Sequence, residues 1–222
     1  MKNRNISMSI TIALIVINVV VFFIMEIMGD TENVLFMMEH GAVFPPYILE
    51  DQEYWRLLTA NFMHFGFQHL LNNMVLLGSA GQILERAMGK IKFLILYLVA
   101  GIGGCILSFL QMVHSGEYAV SAGASGSIFG IIGALVWIVI VHKGNYETLT
   151  GKGLAVMIAL CLYYGISTGN VDNWGHIGGL VMGFIISVIF YRRNAKKIDF
   201  AEQNLYTYTY DDNITCEVED ED

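Results

Sequence analysis

Apolar residues along this chain fall into six long blocks, without the regular alternation that marks a half-buried soluble element. A helix needs roughly 20 apolar residues, within a range of about 17–25, to cross a bilayer. The blocks therefore predict membrane-spanning helices, although the second and fifth are short for a span. The predicted spans cover about residues 6–28, 69–84, 93–113, 125–141, 154–168 and 174–191.

This pattern predicts an all-α, polytopic membrane protein built as a bundle of six transmembrane helices. The first block is too long for the apolar part of a signal peptide, and no small-x-small cleavage site follows it. We therefore interpret it as a retained span. A long external loop of about 40 residues, 29–68, separates the first two spans and contains Pro45-Pro46 and Trp55. A connection of this length is expected to fold onto the membrane surface.

The distribution of Lys and Arg tests the six-span prediction independently. With six spans, one side of the membrane holds eleven of these residues and the other holds only Arg56. Such a bias places the basic side and both termini in the cytoplasm. The eleven are Lys2, Arg4, Arg86, Lys90, Lys92, Lys143, Lys152, Arg192, Arg193, Lys196 and Lys197.

Composition agrees with a bilayer environment, since 55% of the 222 residues are hydrophobic and 14% are charged. Soluble domains carry about 25% charged residues. The formal charge of -8 comes largely from the end of the chain, because residues 199–222 hold nine of the 20 acidic side chains. Residues 192–222 are thus predicted to form a basic, then acidic, disordered cytoplasmic tail. Three cysteines, Cys105, Cys161 and Cys216, show no spacing typical of a disulfide framework or a metal site.

Ser125 lies in the segment Gly123-Ala124-Ser125-Gly126, at the start of the fourth span. Glycines permit a sharp turn, and unpaired N–H groups at a helix N-terminus could stabilise a developing oxyanion. The sequence Gly-x-Ser-Gly alone is a weak signal, and a serine that merely caps the helix explains it equally well.

His176 lies near the start of the sixth span, two residues after Trp174. Taken alone, it could be an interfacial histidine that water or headgroups satisfy. However, small residues recur at four-residue spacing on both spans, and such stripes let helices approach closely in a membrane. They are Gly126, Gly130 and Ala134 on the fourth span and Gly179 and Gly183 on the sixth. Close packing there would bring the Ser125 hydroxyl within reach of the His176 imidazole, as nucleophile activation requires.

His69 and Asn73 are four residues apart and share one face of the second span. Both could donate to the oxyanion of a tetrahedral intermediate, or they could form interhelical hydrogen bonds that only stabilise the bundle. His64 precedes the span and is expected to be structural.

The apolar blocks place no carboxylate near Ser125 or His176, which favours a Ser-His dyad over a triad. Asp172 precedes His176 by four residues, but it is expected to be solvated in a loop. The sequence shows no metal-ligand spacing, phosphate loop or nucleic-acid-binding surface, so we predict no metal, cofactor or nucleic-acid partner.

These motifs, in this order, resemble the rhomboid family of intramembrane serine proteases over about residues 55–183. The resemblance rests on Trp55-Arg56, His64, His69, Asn73, Glu85, Gly123-Ala124-Ser125-Gly126, His176, Gly179 and Gly183.

The resemblance implies that Ser125 is the nucleophile and His176 the general base and acid. The Ser125 amide and the side chains of His69 and Asn73 would form the oxyanion hole. Trp55, Arg56, His64 and Glu85 would be structural, and Gly123, Gly126, Gly179 and Gly183 would support the dyad and its packing. One departure is Phe129, which stands where many members have a tyrosine packed on the histidine.

The implied substrates are transmembrane proteins cut at or near the outer membrane face, without a cofactor or metal. Absence of a transit peptide or seventh span favours a bacterial plasma membrane. Two other interpretations remain open at this stage: an inactive rhomboid-like protein that binds membrane clients, and a small channel or transporter. The latter should show internal repeats or charges along a midplane path, which the sequence lacks.

Overall fold

The computed structural model describes residues 9–168 and 171–192, and at positions 162 and 164–168 it describes the backbone only. This part of the chain is mostly helical. It forms nine α-helices, one 3₁₀ turn and a two-stranded hairpin, of which the pattern predicted only the long helices. The α-helices are α1 (Ile10–Met28), α2 (Val34–Glu39), α3 (Pro45–Leu49), α4 (Arg56–Thr59), α5 (Gly66–Met88), α6 (Lys90–Ser115), α7 (Ser125–Val141), α8 (Gly151–Thr168) and α9 (Asn173–Phe190). The 3₁₀ turn covers Ala60–Phe62, and antiparallel strands β1 (Asn145–Tyr146) and β2 (Leu149–Thr150) form the hairpin.

The six long helices, α1 and α5 to α9, correspond to the six apolar blocks, but their ends differ from the predicted ones. Helix α5 begins at Gly66, three residues early, and continues to Met88. A backbone helix needs no apolar side chains, so polar residues such as Gln68 and Arg86 extend it beyond the hydrophobic block. It ends at Gly89, whose φ of +83° is a conformation that favours glycine and breaks the helix before α6.

Within the described residues, three helices are long and apolar enough to cross a membrane by length and composition, namely α1, α6 and α9. Helix α7 and the first part of α8, residues 151–161, are apolar but shorter. The predicted external segment, residues 29–68, is folded: it contains α2, α3, α4, the 3₁₀ turn and the start of α5.

Helix α7 lies at the centre of the molecule, packed against α5, α6 and α9. Every residue from Gly126 to Leu135 is buried. A helix that is apolar and buried on all sides belongs in the core of a bundle. By contrast, α1 buries one stripe and exposes large apolar side chains on the other, including Ile12, Val16 and Val20.

Backbone contact, without intervening side chains, joins α7 to α9. A Cβ added to Gly179 would overlap the carbonyl oxygen of Gly126, and one added to Gly183 would overlap that of Gly130. The small residues on the two helices therefore face each other, as the stripes predicted.

One end of the bundle is tied together by polar contacts, and we call it the hairpin end. The Glu85 carboxylate accepts hydrogen bonds from Ile10 N (2.9 Å), Thr11 N (2.9 Å) and Thr11 Oγ1 (2.7 Å), and also from the Ser9 hydroxyl. Arg86 Nη2 contacts Glu147 Oε2 of the hairpin at 2.7 Å. Lys92 Nζ donates to the carbonyl oxygen of Phe190 at 3.0 Å, which brings the end of α9 to the same place.

Candidate active site

The opposite end of the bundle holds the candidate site, which starts from the segment before α7. Ser121 pairs with Val43 in an isolated antiparallel bridge, with N–O distances of 2.8 and 3.0 Å. Gly123 N donates to the carbonyl oxygen of Ala60 at 2.8 Å, and Gly123 has a φ of +142°. A Cβ at Gly123 would lie 2.7 Å from His69 Cε1, so both the conformation and the close approach require glycine.

Ser125 is the first residue of α7, and it does not cap the helix. Ala124 occupies the cap position, and no side chain forms a capping hydrogen bond there. The alternative of a capping serine therefore fails. Ser125 is half-buried, and among the described residues its hydroxyl forms no hydrogen bond with another side chain or the backbone. Its position also places it beside the first N–H groups of α7, which have no partner within the helix.

His176 lies in the first turns of α9 and is 7% exposed. Its ring stacks on Phe129, with ring centroids 4.1 Å apart and an interplanar angle of 9°. The phenylalanine lies four residues after Ser125, so the stack places His176 over the first turn of α7. His176 Nδ1 is buried without a hydrogen-bond partner among the described residues, and none joins the ring to Ser125.

The glycine contacts explain how a serine and a histidine 51 positions apart become neighbours. A Cβ at Gly126 would lie 3.6 Å from the carbonyl oxygen of Gly175. These two glycines directly follow Ser125 and directly precede His176, so the two candidate residues flank one helix–helix contact.

His69 lies on the other side of Ser125. The point where a Gly123 Cβ would stand is 2.9 Å from His69 Nε2 and 3.7 Å from Ser125 Oγ, so both groups border the same small volume. Asn73 is 4% exposed and donates through Nδ2 to the carbonyl oxygen of His69 at 3.0 Å. One of its two amide protons is thus held within its own helix, and the other is left for a further acceptor.

His64 holds the turn that presents Ser125. It is 1% exposed, and its Nε2 accepts a hydrogen bond from the Ala124 N–H at 3.4 Å. Burial, together with the nearby His69, lowers the pKa of His64 to about 3. The ring is therefore neutral at physiological pH and can accept, as this contact requires. The structural role expected of His64 fits this geometry.

Asp172 departs from the sequence-based expectation of a solvated loop residue. It is half-buried at the N-cap of α9, where Oδ1 accepts from Gly175 N at 2.8 Å and Oδ2 accepts from Ser121 Oγ at 2.6 Å. Its prediction as solvated was wrong because a helix N-terminus offers unpaired N–H groups that attract a carboxylate. Neither oxygen forms a hydrogen bond with the His176 ring.

Two further residues predicted to be structural occupy supporting positions away from Ser125. Arg56 is 3% exposed, and it contacts Glu53 and the carbonyl oxygens of Met38 and Ala42, which fastens α2 to α4. Its guanidinium also lies over the Trp55 ring, 4.8 Å from the centroid. Glu85 anchors α1 at the hairpin end, as described above.

Sequence reasoning missed the contribution of α6. A Cβ at Gly104 would lie 2.6 Å from the carbonyl oxygen of Gly175, and one at Gly101 would overlap the Ser127 hydroxyl and the Asn61 amide. Helix α6 therefore packs closely against the first residues of both α7 and α9. The signal was present in the run Gly101-Ile102-Gly103-Gly104, which interrupts an otherwise large-residue span.

Comparison with known proteins finds a family that this sequence matches. The Rhomboid domain family model matches residues 51–193, which is more than half of the chain. The chain is 38% identical over 174 residues to Rhomboid protease GluP of Bacillus subtilis (strain 168), covering 78% of this chain and 33% of that protein. It is 36% identical over 151 residues to RHOMBOID-like protein 4 of Arabidopsis thaliana, covering 67% of this chain and 37% of that protein. It is also 32% identical over 181 residues to Rhomboid-like protease 1 of Toxoplasma gondii, covering 77% of this chain and 60% of that protein.

The chain belongs to the rhomboid family. Its relatives include proteins named as proteases, and the resemblance inferred from Ser125, His176 and their companion motifs is confirmed at the level of the family. The chain spans only about a third of the length of the Bacillus and RHOMBOID-like 4 proteins.

Proposed function

We propose that this protein is an intramembrane serine endopeptidase that hydrolyses peptide bonds in or near transmembrane segments of other membrane proteins. The observation that carries the proposal is the contact between α7 and α9 at Gly126 and Gly175. That contact puts Ser125 and His176 on its two sides, and the Phe129 stack holds the imidazole over the first turn of α7.

In this proposal the Ser125 hydroxyl attacks the scissile carbonyl carbon while His176 takes its proton. His176 then returns the proton to the leaving amine. In the second half, His176 takes a proton from the water that attacks the acyl carbon, and it returns that proton to Ser125 Oγ as the ester bond breaks and the carboxyl product leaves. Because neither oxygen of Asp172 forms a hydrogen bond with the His176 ring, and Nδ1 lacks a hydrogen-bond partner among the described residues, the proposed mechanism uses a dyad.

The developing oxyanion would lie near the N-terminus of α7, where the Ser125 N–H points outward. His69 borders the same volume as the Ser125 hydroxyl, and Asn73 lies one turn further along α5 with one amide proton uncommitted. We assign both side chains as oxyanion donors. Donors of this kind typically contribute about 10²–10³-fold to turnover.

The proposed topology has six spans, α1 and α5 to α9, with both termini in the cytoplasm. The contacts of Arg86 and Lys92 support it, since they gather the basic connections at the hairpin end. Ser125 and His176 lie at the opposite end, so the site would open to the extracytoplasmic side of a bacterial plasma membrane. An impermeant maleimide that labels Lys143→Cys in intact cells, but not the wild-type protein with its three cysteines, would contradict this orientation.

The central test replaces Ser125 by alanine and measures cleavage of a single-span model protein whose outer segment carries helix-breaking residues. We expect no cleavage and no labelling by a fluorophosphonate, because the only proposed nucleophile is gone. Ser115→Ala is the matched control, since its hydroxyl contacts the end of its own helix, and it should retain both activities.

The alternative is an inactive family member that binds membrane clients without cutting them. Such a protein would retain the model substrate but show neither cleavage nor Ser125-dependent labelling in the wild type. That outcome would refute the proposed protease activity, and undiminished cleavage by Ser125→Ala would refute Ser125 as its nucleophile.

A further inference from the structure

A hydrogen bond between Ser121 and Asp172 joins the two segments that lead into α7 and α9. Ser121 Oγ donates to Asp172 Oδ2 at 2.6 Å. Ser121 precedes Ser125 by four residues, and Asp172 precedes His176 by four. The bond therefore links equivalent positions, each one step of four residues ahead of a proposed catalytic side chain.

Both partners are held firmly on their own sides. The backbone of Ser121 pairs with Val43 through two hydrogen bonds of 2.8 and 3.0 Å. The other oxygen of Asp172 accepts from Gly175 N at 2.8 Å, and its carbonyl oxygen accepts from His176 N at 3.1 Å. Displacement of Asp172 would consequently move the backbone of His176.

The position of the Asp172 carboxylate also requires a glycine three residues later, at Gly175. A Cβ at Gly175 would lie 2.7 Å from Asp172 Oδ2, the oxygen that binds Ser121. Gly175 is the same residue whose carbonyl oxygen faces Gly126 and Gly104. The Ser121–Asp172 hydrogen bond and the close helix contacts thus meet at Gly175, beside His176.

The glycine contacts by themselves set how closely α7 and α9 approach. They provide few protruding side chains to oppose sliding along the helix axes, because small residues form no deep ridges. A directed hydrogen bond between the two entry segments adds such a restraint at this end of the helices. Further along α7 and α9, the bond from Ser187 Oγ to the Ala134 carbonyl oxygen adds another. Displacements of about 1 Å in an active site can cost on the order of 10²-fold in rate.

We propose that the Ser121–Asp172 hydrogen bond is an interhelix clamp that sets the axial register of His176 against Ser125. The two are positioning residues, and this assignment rests on the proposed protease function. Asp172 forms no hydrogen bond with the imidazole, since its two oxygens bind Ser121 and Gly175. Ordinary N-capping accounts for Oδ1 alone and leaves the bond through Oδ2 unexplained.

The experiment compares Ser121→Ala, Ser121→Thr and Asp172→Asn in vesicles of phosphatidylethanolamine and phosphatidylglycerol, at a temperature where each variant is folded. The model substrate gives kcat, KM and the pH–rate profile. We expect Ser121→Ala to lower kcat by about 10- to 100-fold with little change in KM. Ser121→Thr should restore most of the rate because it retains the hydroxyl.

Asp172→Asn separates position from charge. Its amide can still accept from Gly175 N and can donate to the Ser121 hydroxyl, so the register is kept while the negative charge is lost. We expect a rate at the pH optimum within about threefold of the wild type, because the register does not depend on the charge. A shifted profile for Asp172→Asn beside a normal rate for Ser121→Ala would overturn the clamp and make Asp172 an electrostatic partner of His176.

A double-mutant cycle with Ser121→Ala and Asp172→Ala completes the test without needing protease activity. Measured on the detergent unfolding transition, the two losses should be non-additive if the side chains are coupled. Additive losses, or a wild-type kcat for Ser121→Ala, would refute the clamp. If the wild type shows no Ser125-dependent labelling, the protease proposal fails. A non-additive cycle would in that case show that Ser121 and Asp172 are coupled in stability, but the coupling would have no catalytic role.

Discussion

The α7–α9 and α1–α5 interfaces join long helices of this molecule in different ways. Between α7 and α9 the backbones touch, because Gly126 faces Gly179 and Gly130 faces Gly183. Between α1 and α5 side chains fill the space, with Leu14 and Leu77 in the same buried cluster, and a carboxylate ties the end. Backbone contact fixes the separation of two helices closely and leaves no room for a larger side chain, whereas side-chain packing can adjust to a substitution.

This difference explains why the candidate site lies on the first interface. Ser125 and His176 must approach within a hydrogen bond of each other for the proposed chemistry, and backbone contact brings their Cα positions close. The α1–α5 interface instead leaves one side of α1 apolar and exposed, as suits a helix that faces lipid.

The largest expected effect comes from blocking the backbone contact. Gly183→Val should prevent stable assembly, since even a Cβ would overlap the Gly130 carbonyl oxygen and the backbone cannot give way cheaply. Thermal unfolding in detergent, together with the yield of monodisperse protein, measures it.

Gly78→Ala is the matched control on the other interface, because its Cβ would meet Ile15 Cδ1 at an ordinary 3.7 Å. It should leave stability unchanged or raise it by about 0.5–1 kcal/mol through the better helix propensity of alanine. Equal losses for the two glycine variants would contradict the distinction between the interfaces.

An intermediate effect is expected at the carboxylate that ties α1 to α5. Glu85→Gln keeps the shape but removes the charge that accepts from Ile10 N, Thr11 N and Thr11 Oγ1. Hydrogen bonds to charged groups contribute about 1.5–3 kcal/mol, so the free energy of unfolding should fall by roughly 2 kcal/mol.

Chemical unfolding in detergent measures this loss against Gln82→Ala, an exposed substitution on the same helix that should have little effect. Proteolysis should also cut the start of α1 faster in Glu85→Gln. A variant as stable as the wild type would show that the Glu85 contacts do not anchor α1.

The smallest expected effect concerns the ring that supports His176. Phe129→Leu removes the stack, and aromatic pairs contribute about 0.5–1.5 kcal/mol, so turnover should fall roughly 2- to 10-fold with KM unchanged. Phe129→Tyr keeps the stack and should stay within about twofold of the wild type. Cleavage of the model substrate measures both.

Phe184→Leu is the control, because Phe184 forms an edge contact with Trp137 between the same two helices but away from His176. Its turnover should not change. If Phe129→Leu and Phe184→Leu had the same effect, the stack would support general packing and not the position of the imidazole.

Much of this architecture could be predicted from the sequence because hydrophobic blocks report burial locally. The six blocks correspond to the six long helices, and the four-residue spacing of Gly126, Gly130, Gly179 and Gly183 indicated the faces that meet. The family followed from Ser125, His176 and the motifs around them, and the family match confirms it. The residues assigned to catalysis remain a prediction.

Other features depended on contacts between residues far apart in the chain, and these only the tertiary structure decided. Three contacts of this kind join segments 51 to 71 residues apart. They are the hydrogen bond from Ser121 to Asp172, the close approach of Gly104 to Gly175, and the hydrogen bond from Ala124 to His64. Periodicity and spacing describe neighbours on one helix, so they predicted which faces would pack. They could not predict which polar atoms would meet, because hydrogen bonds depend on the separation and angle that packing of the whole bundle sets.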